Sequence, residues 1–190
     1  VRAGYDVPVN PAAGCLLLRT LPGTHHTMSA FPGSLVYFAG PLFTHAEQRW
    51  NASLAAALET FGHRVLLPQR LVADLIEPER PLPTAAMFEL LVDRIREADA
   101  VVAVLDGADP DSGTCFECGA AFAWGTPIVG LRTDLRRGGD HPDRDVNLML
   151  AHGCAALVKL LPDDKPDLTG LAQRISSALT SLPSLSRIDR

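Results

Sequence analysis

One stretch gathers the residue types that do chemistry: Asp111-Ser112-Gly113-Thr114-Cys115-Phe116-Glu117-Cys118-Gly119. It follows a strand-like apolar run and opens a segment of small residues with helical character. Its carboxylates therefore fall where a strand hands over to a helix. The unpaired backbone N–H groups of a helix start favour negative charge, so a carboxylate there stays ionised. Gly113 and Gly119 leave room for a ligand or a neighbouring backbone to come close. Ionised, partly desolvated and facing a crevice, Glu117 has the character of a carboxylate nucleophile. The same spacing fits a second reading, in which Thr114-x-x-Glu117 is a capping box that only closes the helix terminus. Both readings place Thr114 and Glu117 in the first helical turn.

Other reactive side chains form weaker patterns. Cys115 and Cys118 make a CxxC, the spacing of a redox pair or half a zinc site. No second ligand pair accompanies it, because Cys15 and Cys154 stand alone. Two thiols three residues apart on a helix also pack as small hydrophobes. His25, His26, His45, His63, His141 and His152 show no metal-ligand spacing and read mostly as surface residues. The sequence calls for no metal and no cofactor. Arg132, Arg136, Arg137 and Arg144 make a basic loop that either pairs with Asp134, Asp140, Asp143 and Asp145 or holds a phosphate.

The elements that must position these groups follow from apolar periodicity. Residues 35–39 read as a buried strand halted by Gly40-Pro41. Thr44 and Glu47 have capping-box spacing and open a helix with Trp50, Leu54, Leu58 and Phe61 on one face, closed by Gly62. Residues 65–67 form a second strand, 78–83 a proline-rich loop, and Thr84 caps a helix to about Ala98. Residues 100–105 make the third strand, followed by the polar loop 106–113 and a helix ending at Gly125. Strands over 128–131 and 155–161, a charged loop over 132–145 and helices over 146–152 and 168–182 complete the pattern. Trp50 and Trp124 fall on core-facing helical positions. Strands alternating with helices at this spacing predict a parallel sheet covered on both faces. In such sheets the ligand lies beyond the carboxyl ends of the strands, which selects the loops 40–45, 106–114 and 132–147.

Composition narrows the class. A chain of 190 residues, 47% hydrophobic and 21% charged, suits one globular domain. A net charge of −5 offers nothing to a nucleic acid polymer or an anionic membrane. No apolar run is long enough to span a bilayer. Four scattered cysteines point to a reducing, cytoplasmic setting. Residues 1–33 are rich in proline and glycine and read as a loop-like N-terminal extension to a domain over 34–190. The apolar run at 15–18 is too short for a secretory signal.

With these motifs in place, the sequence resembles the nucleoside 2-deoxyribosyltransferase family from about residue 34 to 160. The matching pieces are 36–43, 98–103, Asp111-Ser-Gly-Thr-x-x-Glu117-x-Gly119-x-Ala121, Thr133-Asp134-Leu135-Arg136 and Asn147-Leu148-Met149-Leu150, all in family order. The resemblance implies a flavodoxin-like, doubly wound five-stranded parallel sheet with helices on both faces. It makes Glu117 the nucleophile at C1′ of a nucleoside, Tyr37 the group that orients it and Asp111 a second active-site acid. Gly40, Pro41, Phe43, Ser112 and Gly113 would line the substrate site. Asn147 and Met149 would come from a neighbouring subunit, which implies a homodimer or higher homo-oligomer with shared sites.

The implied partners are a nucleoside and a free nucleobase, exchanged through a glycosyl-Glu117 intermediate with retention. The family's base-binding Asp or Asn, four residues before Ile95, is Leu91 here. Asp93 is turned by roughly 200° from that position and suits a solvated face. Asp93 and Gln69 remain base-contact candidates, Gln69 by its place after the second strand. Two rivals share the residues: an N-glycosidase that passes the sugar to water, and a non-catalytic sensor of a nucleotide-like ligand. Glycosidases acting on 5′-monophosphates tend to have a neutral residue six positions before the nucleophile. Asp111 stands there, and its charge favours a nucleoside without a phosphate.

Overall fold

The structure, a computed structural model, describes residues 33–78, 80–136, 138–140, 145–160, 164 and 167–182. The extension expected over 1–33 lies outside these residues apart from Gly33. The apolar run bounded by Gly40-Pro41 forms β1 (Leu35–Ala39). Asp99 accepts the Leu35 N–H at 2.8 Å and so fixes where that strand begins. Helix α1 (His45–Thr60) starts at the expected capping box, with Thr44 accepting from the Glu47 N–H. It ends before Gly62, whose φ of +88° is the left-handed conformation that glycine adopts without strain.

Strand β2 (Arg64–Leu66) lies one residue earlier than expected. Pro68 is the first residue of a short helix, α2 (Pro68–Leu71), so Leu67 becomes its cap and leaves the strand. A 3₁₀ turn follows at Ala73–Leu75. Helix α3 (Thr84–Glu97) contains Thr84 as its first residue; Pro83 occupies the cap position, with no side-chain bond. Then come β3 (Ala100–Val104), α4 (Ser112–Ala123), β4 (Ile128–Arg132), α5 (Leu148–Gly153), β5 (Ala156–Lys159) and α6 (Leu168–Ser181).

All five strands run parallel in the order β2-β1-β3-β4-β5. That is the flavodoxin-like doubly wound arrangement, with its switch point between β1 and β3. Alternation along the strands divides the core into two layers. Val36, Phe38, Val102 and Leu131 face α1 and α6, packing with Leu54, Leu58, Leu171 and Ile175. Tyr37, Ala39, Val101 and Ala103 face the other way and pack with Ile95, Cys118 and Ala121 of α3 and α4. Each fully buried Leu, Ile or Phe contributes about 1.5–3 kcal/mol, so these layers hold the sheet rigid beneath its loops. Trp50 and Trp124 are partly buried against the two layers, and Arg96 lies over the Trp124 ring at 4.6 Å. Among the described residues, no helix is long and apolar enough to cross a membrane.

Candidate active site

The switch point brings together Glu117, singled out by its motif, and Tyr37, which the family resemblance implied would orient it. Tyr37 is fully buried on β1, and its side chain rises on the face covered by α3 and α4. Its hydroxyl donates to Glu117 Oε1 at 2.5 Å, linking β1 to α4. Burial, then the Glu117 charge and hydrogen bond, hold the phenol far above its usual range, so it remains a donor. Glu117 is only partly exposed. Burial pushes its carboxyl up to about 7, with the Asp111 charge adding to the rise and the Tyr37 hydrogen bond opposing it.

Here the structure corrects the expectation that Glu117 simply stays ionised. Helix α4 begins at Ser112 with Asp111 as its cap, and Asp111 Oδ2 accepts the Thr114 N–H at 2.9 Å. Glu117 therefore sits in the second turn, beyond the first-turn N–H groups that favour negative charge. The Thr114–Glu117 capping box is absent for the same reason: Thr114 is the third helical residue and gives its own N–H and hydroxyl to Asp111. Glu117 is thus not needed to close the helix. Ser112 and Gly113 are exposed at the helix start. A Cβ on Gly113 would come within 3.0 Å of Asp111 Oδ2, so a larger residue would press on the capping carboxylate.

The loop after β1 leaves the same carboxyl edge of the sheet. Gly40 packs against Val104, where an added Cβ would lie at 3.2 Å. The Pro41 carbonyl accepts from Asn51 Nδ2 and the Leu42 carbonyl from Gln48 Nε2, both at 2.8 Å. Phe43 is 77% exposed, an apolar ring held out by an anchored backbone. Gln69 Nε2 donates to the Gln48 carbonyl at 2.9 Å, and its Oε1 is buried without a partner among the described residues. Gln48 and Asn51 escaped sequence reasoning. The one available signal was a buried polar residue, Asn51, amid the apolar face of α1. Leu91 packs against the Tyr37 layer, whereas Asp93 is exposed and lies 4.0 Å from Arg96, on the solvated face expected of it.

Asn147 and Met149 do not join Glu117 within one chain. Asn147 caps α5, accepting the Met149 N–H at 2.9 Å, and Met149 is 74% exposed. Both line an open cavity of about 490 Å³ between α4 and α5, together with Cys115, Cys118, Phe122 and Cys154. Tyr37 and Glu117 are not on its wall, since they occupy the other flank of α4. The three described cysteines are free thiols. Burial pushes Cys118 far up and Cys154 up to about 12, so they are protonated and pack as small apolar groups. No three His, Cys, Asp or Glu among the described residues are grouped to hold a metal ion.

Of the basic loop, the described residues show one close Arg–Asp pair, and the other carboxylates take different partners, Asp145 taking Lys159. Arg136 donates to Asp134 at 2.6 Å and Asp140 accepts from the Leu148 N–H at 2.9 Å. Arg132 is the last residue of β4, not part of the loop, and is 2% exposed. Arg137, Arg144, Asp143 and His141 lie outside the described residues, as do Cys15, His25 and His26. His63 departs from the surface reading: it is buried beside Ser176 Oγ at 2.9 Å, and burial lowers its pKa.

Strand order and hydrogen bonding define a flavodoxin-like α/β protein with a Tyr–Glu pair at its switch point. The sequence model of the nucleoside 2-deoxyribosyltransferase family matches residues 36–149, and the chain belongs to that family. A solved 2-deoxyribosyltransferase from the psychrotolerant bacterium Bacillus psychrosaccharolyticus is 22% identical, with a TM-score of 0.58 over 80% of this chain and 100% of that one. A conserved protein from Enterococcus faecalis V583 is 27% identical, with a TM-score of 0.57 over 75% of this chain and 98% of that one. No curated protein matches the sequence.

Proposed function

We propose that the protein moves a 2-deoxyribosyl group from one nucleobase to another through an ester on Glu117. The observation that carries this reading is the 2.5 Å hydrogen bond from buried Tyr37 to Glu117 Oε1 at the switch point. Tyr37 holds Oε1, leaving Oε2 to attack C1′. As the Oε2–C1′ bond forms, the N-glycosidic bond breaks and the base departs with its electron pair, taking a proton from water. The positive charge spread over C1′ and the ring oxygen is stabilised by the nearby carboxylate, which gains most when water is excluded. A ring nitrogen of a second base then attacks C1′ from the vacated side, loses its proton to water and expels the Glu117 carboxylate, restoring the original anomer. Asp111, near the start of α4, contacts the sugar and disfavours a 5′-phosphate there. Phe43 and Gln69 face the base, while Gly40, Pro41, Ser112 and Gly113 shape the walls.

Incubation with a 2′-deoxynucleoside and a different free base should give the exchanged nucleoside faster than free sugar. Free deoxyribose as the main product at saturating acceptor would place the protein among the hydrolases. No chemistry at all would leave the sensor reading.

The site is shared in this reading. Asn147 and Met149 reach the Glu117 crevice of a second copy, in support of which they lie on the opposite flank of α4 from their own Glu117. Mixing Glu117→Ala with Asn147→Ala chains makes roughly half the dimers mixed, so roughly a quarter of all sites should recover. Proven subunit exchange with no recovery would contradict the shared site.

A further inference from the structure

The Thr133–Arg136 segment and the buried Arg132 before it take no part in the reaction above. Yet they tie together the two loops that carry its residues. The Arg132 guanidinium donates through one nitrogen to the carbonyls of Leu105 at 2.5 Å and Gly107 at 2.6 Å. Through the other it reaches the Arg136 carbonyl at 2.9 Å. The traffic runs the other way as well. Asp106 accepts from the Thr133 and Asp134 N–H groups at 2.6 and 2.9 Å, and from the Thr133 hydroxyl. Asp134 accepts the Gly107 N–H at 3.1 Å while held by Arg136.

These bonds pin residues 105, 106 and 107, half of the six positions between the end of β3 and the Asp111 cap. Further along, Gly138 nests between loops so closely that a Cβ there would meet the Ala108 carbonyl at 3.1 Å and the Asp145 carbonyl at 3.4 Å. A guanidinium whose two terminal nitrogens are held by three main-chain carbonyls acts as a rigid crosslink, while its Nε–H is buried without a partner among the described residues.

We propose that Arg132, with Asp106 and Asp134, is a positioning group for Glu117: it locks the loop leaving β3 to the loop leaving β4 and so fixes where α4 begins and how its second turn meets Tyr37. This rests on Glu117 as the reactive carboxylate. A loosened lock lets the α4 start shift, admits water to Glu117 and moves Asp111, the other charged group that acts on it. Relief of burial, the largest force raising its pKa, together with a displaced Asp111 charge lowers that pKa and outweighs the weakened Tyr37 hydrogen bond, which alone would raise it. A small misplacement of the nucleophile also costs rate out of proportion to any loss of binding.

The test is a carbon-13 NMR titration of the side-chain carboxyl groups, with the Glu117 signal assigned by its loss in Glu117→Gln. The intact protein should show that signal titrating at about 7. In Arg132→Met and Thr133→Val the midpoint should fall by roughly half a unit or more. In base exchange kcat should fall about ten-fold, with KM changing less. Arg132→Lys, unable to reach three carbonyls, should recover only part of the loss. Should Arg132→Met fail to fold, Thr133→Val decides, because it keeps the side-chain shape and removes one hydrogen bond. Folded variants whose Glu117 midpoint and kcat match the intact protein, whatever their melting temperature, would overturn the proposal. The titration needs no turnover, so a protein inert in base exchange would sink the proposed activity and still test the lock.

Discussion

Glu117 and Asp134 stand at the same edge of the sheet and are held in opposite states. Asp134 accepts from the Gly107 N–H and, several times over, from Arg136, whose hydrogen bonds hold its carboxyl well below the usual carboxylate range. Glu117 has one described donor, Tyr37, and burial with the neighbouring Asp111 charge outweighs it. A carboxylate surrounded by donors and a cation is committed to holding loops together. One that is desolvated and short of counter-charge keeps its lone pairs for a developing positive centre. The comparison separates the acid committed to structure from the one proposed as nucleophile without reference to any ligand.

Removing the single donor should break that contrast most visibly. Tyr37→Phe takes away the interaction that lowers the Glu117 pKa, so the rise of kcat/KM with pH should move above its midpoint of about 7. The rate itself should drop by roughly 10²-fold as the carboxylate loses its orientation. Asp111→Asn keeps a capping oxygen but removes the like charge, so the same midpoint should move down by a fraction of a unit. Rate profiles across pH 5–9 read both. Equal midpoints in the two variants would show that neither neighbour tunes Glu117.

Thermal stability gives a smaller and independent signal. A carboxyl raised from 4.5 to about 7 on folding contributes stability that is complete below its unfolded pKa and lost as pH rises through the folded one. Glu117→Gln, which never ionises, should therefore melt a few degrees above the intact protein at pH 8.5 and level with it near pH 4.5. The opposite order would mean that the folded state favours the charged form, as it does at Asp134.

The two acids also differed in how far the sequence disclosed them. Glu117 was legible because the residues around it lie within one short stretch, next to the apolar run of β3. Strand β1 matched its reading residue for residue, since Gly40-Pro41 allows no continuation. The α4 terminus was misplaced because Asp111-x-x-Thr114 and Thr114-x-x-Glu117 share one spacing, and only backbone geometry chooses between them. The role of Asp134 was hidden for another reason. Its bond to Gly107 and the bonds of Asp106 to Thr133 and Asp134 cross 27 and 28 residues, and a charged loop looks alike whether solvated or knotted. Arg132 gave no sign of burial, because an arginine closing an apolar strand reads as its exposed end. The orphaned Gln69 oxygen depends on a contact with Gln48 across 21 residues, which no local pattern contains.

Whether Glu117 carries the sugar is tested most directly by trapping it. The protein is incubated with a 2′-deoxynucleoside in the absence of an acceptor base, quenched in acid and digested, and the peptides are weighed by mass spectrometry. The peptide containing Glu117 should gain the mass of one deoxyribosyl group, lose it when a free base is added before the quench, and show no gain in Glu117→Gln. A deoxyribosyl group on another residue, or base exchange that survives in Glu117→Gln, would contradict Glu117 as the nucleophile.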